Sequence, residues 1–265
     1  MSTFYISSSL CWSFHPQEVI HIAKQYGCIG VEMWAEHMYY HQASPEDIRE
    51  TAKAEQVDIT LHAASWDLNI CSLNQGIQQQ SIVELKKSID LAAKLGALHM
   101  TFHPGKYTVK NYLTACHQEN LVTNTQLLLD YAKEKQVTLS QELMEVIPKE
   151  MLTYPEQMTQ FQAKLNGELC VTLDIAHVPL QDDPINYFEH LQHVNSIHLS
   201  DSTKTQYHVP LGKGSVELHR VLTYFSKIDK PIVLEGMDTT KELAFLKQHI
   251  AYLNHHHWLE RKIDA

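Results

Sequence analysis

Six side chains able to hold a metal ion or carry a proton close six short apolar runs of this 265-residue chain. His62 ends Val-Asp-Ile-Thr-Leu-His, His103 ends Leu-His-Met-Thr-Phe-His, and Glu142 ends Val-Thr-Leu-Ser-Gln-Glu. Asp174 closes Leu-Cys-Val-Thr-Leu-Asp, His198 lies in Ser-Ile-His-Leu-Ser-Asp, and Glu235 ends Pro-Ile-Val-Leu-Glu. Carboxylates at the ends of buried strands are costly and repel one another unless something compensates them, and a cation is the simplest compensation. Glu142, Asp174, His198 and Glu235 make a three-oxygen, one-nitrogen set that suits a borderline divalent ion such as Mn²⁺, Zn²⁺ or Co²⁺. His62 and His103, beside Glu142, read as a second, nitrogen-richer site of zinc type. His177, in Asp-Ile-Ala-His, and His208, in Tyr-His-Val-Pro-Leu-Gly-Lys-Gly, extend the pattern, so one ion is expected and a second and third remain open. A single strand-end histidine is more often a hydrogen-bonded structural residue than a ligand. Six strand ends of this kind in one chain favour ligation.

These residues are 24 to 41 positions apart, so only a fold that gathers strand ends can make them one site. Apolar or β-prone runs fall at Phe4–Ser8, Gly30–Trp34, Val57–His62, Leu98–His103, Val137–Glu142, Leu169–Asp174, Ser196–Ser200 and Pro231–Glu235. Between them lie amphipathic segments of helical spacing, among them Pro16–Tyr26, Ser81–Leu95 and Asn120–Lys133. Ser44-Pro45-Glu46-Asp47 reads as a helix start, with a capping hydroxyl, Pro at the first helical position and acids in the first turn. Gly27 and Gly96 stand where helices should stop. Eight β-α alternations without a G-x-G-x-x-G after the first strand predict a single-domain (β/α)8 TIM barrel over residues 1–265 rather than an open doubly wound sheet. The C-terminal strand ends of such a barrel converge on one opening, which is where the six ligand-type residues belong. Glu32 and Trp34 on the second run, with Trp66 and Lys106 just past the third and fourth, would then line the opening and touch substrate.

The bulk numbers agree. The chain is 44% hydrophobic and 20% charged, which excludes disorder. No run approaches a membrane span, and the start lacks the basic region of a secretory signal, so a cytoplasmic protein is expected. Five scattered cysteines without a C-x-x-C pair fit reduced, mostly buried thiols. A net charge of −10 argues against a broad nucleic-acid surface, although bound divalent ions would add positive charge where a phosphate sits. Oligomeric state is unmarked in the sequence.

The pieces Leu-His62-Ala-Ala-Ser-Trp-Asp-Leu-Asn, Phe-His103-Pro-Gly-Lys, Gln-Glu142-Leu, Leu-Asp174-Ile-Ala-His177, Ile-His198-Leu-Ser-Asp, His208-Val-Pro-Leu-Gly-Lys-Gly and Leu-Glu235-Gly resemble the xylose isomerase-like TIM-barrel superfamily. That superfamily includes endonuclease IV (AP endonuclease family 2), sugar and sugar-phosphate isomerases or epimerases, and inosose-pathway enzymes. For its isomerases and epimerases, the resemblance implies one divalent ion held by Glu142, Asp174, His198 and Glu235. The ion would polarise a small polyhydroxy substrate and stabilise an enediolate while Glu142 and Glu235 exchange protons with the carbon beside the carbonyl. For endonuclease IV, it implies a three-metal centre and a nucleic-acid partner. There the D-x-H pattern reads Gln206-Tyr207-His208, and an amide is a weak ligand for a hard cation. A metal-dependent sugar or sugar-phosphate isomerase/epimerase is therefore the leading expectation. An endonuclease IV-like phosphodiester hydrolase is the alternative, and a dehydratase of a hydroxy-keto acid or a catalytically silent barrel stays open. Lys204 could stand in for a substrate-gripping arginine, and Lys213 could meet a phosphate.

Overall fold

A computed structural model describes residues 4–110 and 112–259; residues 1–3 at the start read above, and the end of the predicted 1–265 domain, lie outside them. Eight strands follow one another in chain order and pair in parallel: β1 (Phe4–Ser7), β2 (Gly30–Trp34), β3 (Asp58–His62), β4 (Met100–Phe102), β5 (Leu139–Leu143), β6 (Cys170–Asp174), β7 (Val194–Leu199) and β8 (Ile232–Leu234). Phe4 pairs with Ile232, which joins the first strand to the last and closes the barrel. The helices among the described residues are α1 (Pro16–Gln25), α2 (Ala35–Tyr40), α3 (Pro45–Glu55), α4 (Gln75–Leu95), α5 (Thr114–Lys135), α6 (Pro155–Gln162), α7 (Pro184–His190), α8 (Leu218–Phe225) and α9 (Ala244–His255). The expected (β/α)8 architecture is the one observed.

Side chains alternate across a strand, so each strand sends one set inward and the other to the helices. Leu61, Phe102, Leu173, Ile197 and Leu234 form the outward set, and all are buried in the shell between barrel and helices. The inward set repeats a motif: Thr60-x-His62, Thr101-x-His103, Ser140-x-Glu142, Thr172-x-Asp174 and Ser196-x-His198. A small hydroxyl residue therefore sits one pleat below each ligand-type residue on five consecutive strands, and all five hydroxyl residues are fully buried. Thr101, Thr172 and Ser140 join in a hydroxyl chain with oxygens 2.9 and 2.7 Å apart. This polar tier is a floor under the site: three of its hydroxyls satisfy one another, and the Ser196 hydroxyl is buried without a hydrogen-bond partner.

Helix ends agree with the capping signals. The Ser44 hydroxyl accepts from the Asp47 amide, and Gly27 and Gly96 adopt positive φ at the ends of α1 and α4. α4 and α5 start earlier than the apolar spacing predicts, at Gln75 and Thr114 rather than Ser81 and Asn120. The first turns of α4 are Gln-Gly-Ile-Gln-Gln-Gln, nearly devoid of apolar residues, and the Asn74 side chain starts the helix by accepting from the Gly76 and Ile77 amides. Among the described residues no helix is long and apolar enough to cross a membrane. All five cysteines are free, and only Cys116 is exposed.

Candidate metal centre

The six strand-end residues meet at the C-terminal mouth of the barrel. His62 Nε2 and His103 Nε2 lie 3.4 and 3.1 Å from Glu142 Oε2. His198 Nδ1 lies 3.0 Å from Glu235 Oε2 and 3.8 Å from Glu142 Oε1. Just above, His177 Nε2 is 3.4 Å from Asp174 Oδ2 and 3.2 Å from His208 Nε2. The ligand atoms fall into three compact groups: His62, His103 and Glu142; Glu142, Asp174 and His198; and Asp174, His177 and His208. Glu142 and Asp174 each belong to two groups. Glu235 joins the central group through its contact with His198.

The state of the histidines points to cations. A metal-binding imidazole commonly spends one ring nitrogen on a fixed partner and aims the other at the ion. His62 Nδ1 is held by the Ala63 carbonyl at 2.9 Å, and His177 Nδ1 by the Leu143 carbonyl at 3.1 Å. His208 Nδ1 meets the Ser200 hydroxyl at 3.0 Å, and His198 Nε2 meets the Glu32 carboxylate at 3.1 Å. The other nitrogen of each ring faces the centre. His62 Nε2, Glu142 Oε2, Asp174 Oδ2, His198 Nδ1 and Glu235 Oε2 are all buried without a hydrogen-bond partner. Buried polar atoms are rarely left this way. Tetrahedral coordination at zinc–nitrogen lengths of about 2.0–2.1 Å separates neighbouring ligand atoms by roughly 3.3–3.4 Å. The 3.0–3.8 Å spacings fit that edge.

Without an ion, charge in the centre must be balanced by protons. Burial opposes the imidazolium of His62, but Glu142, Glu32 and Glu235 outweigh it and lift the ring to about 9. His177 rises to about 9 in the same way, with Asp174, Glu142 and Glu145 overcoming burial. Burial pushes Asp174 up to about 6. For Glu142 and Glu235 burial is opposed by the facing histidines, which hold both carboxylates below their ordinary range.

Of the expected substrate residues, Trp34, Trp66 and Lys106 line a cavity of about 250 Å³ above the ligands, together with Ser9, Glu145 and Met237. Trp34 stacks on His62 with ring centroids 4.4 Å apart, and Trp66, half exposed, leans edge-on against Trp34. Lys106 pairs with the buried Glu150 at 2.8 Å, which ties the β4 loop to the β5 loop. Glu32 does not reach the opening. It is fully buried two residues below Trp34, at the level of the hydroxyl tier, where it touches His198 and lies 3.5 Å from Thr60 and Thr101. A strand's inward positions descend by a tier every two residues, so Glu32 sits below the opening and touches His198 from beneath.

The loop bearing His208 is held by Asp201, whose two carboxylate oxygens accept from the amides of Ser202, Gly212, Gly214 and Val216 at 2.8–3.1 Å. A Cβ at Gly214 would stand 2.3 Å from Asp201 Oδ1, so this close approach requires glycine. The Gly-Lys-Gly turn thus serves Asp201 through its amides, and Lys213 and Lys204 are exposed away from the cavity. Gln206 is exposed as well. Two acidic residues of the site carry no strand-end signal in the sequence. Glu145 follows β5 and reaches within 3.7 Å of His177 Nε2, and Glu36 accepts from the Ser65 and Trp66 amides at 2.5 and 3.1 Å, which fixes Trp66.

Comparison with known proteins agrees with this architecture. An uncharacterized protein of Methanocaldococcus jannaschii, MJ1311, is 24% identical over 230 residues, 81% of this chain and 78% of its own. The D-psicose 3-epimerase of Clostridium cellulolyticum H10, solved with D-tagatose, superposes with a TM-score of 0.79 at 13% identity, covering 98% of this chain and 99% of that one. The probable 3-DHS dehydratase AsbF of Bacillus anthracis gives 0.77 at 14% identity, covering 96% and 99%. At these identities the superpositions speak for the fold. Residues 20–255 match the family described as xylose isomerase-like TIM barrel, and the chain belongs to that family.

Proposed function

We propose that the protein is a divalent-metal-dependent sugar or sugar-phosphate isomerase/epimerase that moves a proton at the carbon beside a carbonyl. The observation that carries this reading is the convergence of Glu142, Asp174, His198 and Glu235, with an unpartnered buried atom on each, beneath an aromatic-walled cavity. The likeness to sugar epimerases supports it. When bound, the ion supplies Lewis acidity that withdraws charge from a hydroxy-carbonyl unit. Glu235 and Glu142 approach His198 Nδ1 through different oxygens, at 3.0 and 3.8 Å, and act as base and acid, one taking the proton and the other returning it. Trp34 and Trp66, set edge to face, offer apolar surfaces to the C–H face of a sugar, and Lys106 offers donors to its oxygens.

The test is deuterium incorporation from D2O into ketohexoses and their phosphates, followed by NMR after loading with Mn²⁺ or Zn²⁺. The wild type is expected to exchange one carbon-bound proton, and Glu142→Gln and Glu235→Gln to lose at least 100-fold in rate. Undiminished exchange in both variants would overturn the assignment of acid and base. A second reading, phosphodiester hydrolysis of endonuclease IV type, draws on the flanking groups His62–His103–Glu142 and Asp174–His177–His208. Nicking of an abasic duplex by the Zn²⁺-loaded protein, with no sugar exchange, would favour it instead.

A further inference from the structure

We propose that the substrate is a glycosylated ketose, whose second, uncharged sugar ring is held outside the cavity by an aromatic platform of Trp66, Trp12 and Tyr40. The inference rests on the isomerase/epimerase reading and extends it from the reacting sugar to the group that sugar carries.

Aromatic rings lead out of the cavity in an unbroken series. Trp34 stacks on His62 and so lies against the ligand-type residues. Trp66 meets Trp34 with ring centroids 6.4 Å apart, Trp12 meets Trp66 at 5.2 Å, and Tyr40 meets Trp12 at 5.7 Å. Trp66 lines the cavity yet is 49% exposed, so it stands at the edge, and Tyr40 beyond it is 68% exposed. The backbone beneath these rings is anchored. Glu36 accepts from the Ser65 and Trp66 amides. His41 Nε2 donates to the Trp12 carbonyl at 2.9 Å, and the Trp12 amide donates to the Asp238 carbonyl at 3.1 Å. The Trp12 ring stacks on His37 at 5.0 Å, and His37 Nε2 donates to the Phe14 carbonyl at 3.0 Å. A surface fixed before its ligand arrives loses less freedom on binding, which is what an exposed aromatic platform needs to hold a sugar.

The chemistry of the platform selects its occupant. Aromatic faces complement the C–H face of a pyranose. A phosphate at this end of the substrate would meet the Glu36 carboxylate beside Trp66. Lys106, the one lysine or arginine among the described residues lining the cavity, is already paired with Glu150. A neutral ring joined through an oxygen of the reacting sugar, on the side away from the ligand-type residues, fits what is there.

Fructose, fructose 6-phosphate and isomaltulose, which carry a hydroxyl, a phosphate and a glucosyl group at the same carbon, test this on the Zn²⁺-loaded full chain. KM for deuterium exchange is expected to be at least tenfold lower for isomaltulose than for fructose, with no such gain for fructose 6-phosphate. Saturation-transfer NMR, which needs no turnover, is expected to find strong contacts at the glucosyl C–H protons. Trp66→Ala and Tyr40→Ala are each expected to raise the isomaltulose KM at least fivefold and to weaken the glucosyl contacts, and Trp66→Tyr to restore most of them. Melting curves serve as folding controls, and should Trp66→Ala fail to fold, Tyr40→Ala decides. Equal KM for the three sugars, a gain for the phosphate alone, or glucosyl contacts that persist in both alanine variants would overturn the second ring while leaving the acid and base assignment standing. Exchange absent with all three sugars would count against that assignment, and the saturation-transfer contacts would still decide the platform. A wild-type dimer that Tyr40→Ala splits into monomers would give this face to a second copy of the chain and overturn the proposal.

Discussion

In this centre protons would occupy the atoms that a bound metal ion needs. His62 and His177 are lifted to about 9 by the carboxylates around them, so at neutral pH a metal-free site holds protons that an entering ion must displace. Affinity for Zn²⁺ or Mn²⁺ is expected to rise steadily from pH 6 to pH 9, with release of one or more protons per ion near pH 7. Calorimetry in buffers of different ionisation enthalpy measures that release, and an affinity flat across this range would contradict the protonation of these rings in the metal-free site. The convergence of the strand-end residues was legible because each closes an apolar run with an unexpected polar group. Glu145 was not, since it lies in a loop where no periodicity tells an inward carboxylate from a solvated one. Glu32 was visible but misplaced. Its strand was bounded correctly at Gly30–Trp34, and counting inward positions down from Trp34 would have put it one tier below the mouth.

At the scale of elements, the site depends on loops whose backbone is anchored by single buried acids. Asp201 receives four amide donors and thereby holds the segment that presents His208. Charge-assisted bonds to a buried acceptor are strong, and orphaning their donors is costly. Asp201→Ala is expected to lower stability by about 3 kcal/mol in chemical denaturation and to weaken zinc binding at His208. A loss under 0.5 kcal/mol would show that water replaces the carboxylate at these amides. The strands were readable from β-branched runs and the helix starts from caps, but α4 begins six residues before its apolar stripe because Asn74, not burial, starts it. The paired motif of a hydroxyl residue two before each ligand, on β3 through β7, was present in the sequence throughout. It becomes a signal only when five strands are aligned by their ends.

The molecule as a whole carries a second population of histidines with the opposite bias. His37, His99 and His249 are buried and held down to about 4, chiefly by desolvation. His249 is fixed as neutral by two partners, accepting from the Leu211 amide at Nδ1 and donating from Nε2 to the Glu235 carbonyl. The unfolded chain protonates these rings near pH 6.5 while the folded one does not, so their contribution is complete above that pH and is lost as pH falls toward 4. The melting temperature of the metal-free protein is expected to drop on the order of 10 °C between pH 6.5 and 4.5. A flat profile over that interval would mean that these rings find protons without unfolding. Fold class was readable at this scale, because eight alternations with short connections leave few closed solutions. The layer of serine and threonine hydroxyls beneath the ligands has a further consequence. It plugs the barrel axis, so whatever the protein transforms must arrive and depart through the same doorway, and accumulated product will compete with fresh reactant for entry.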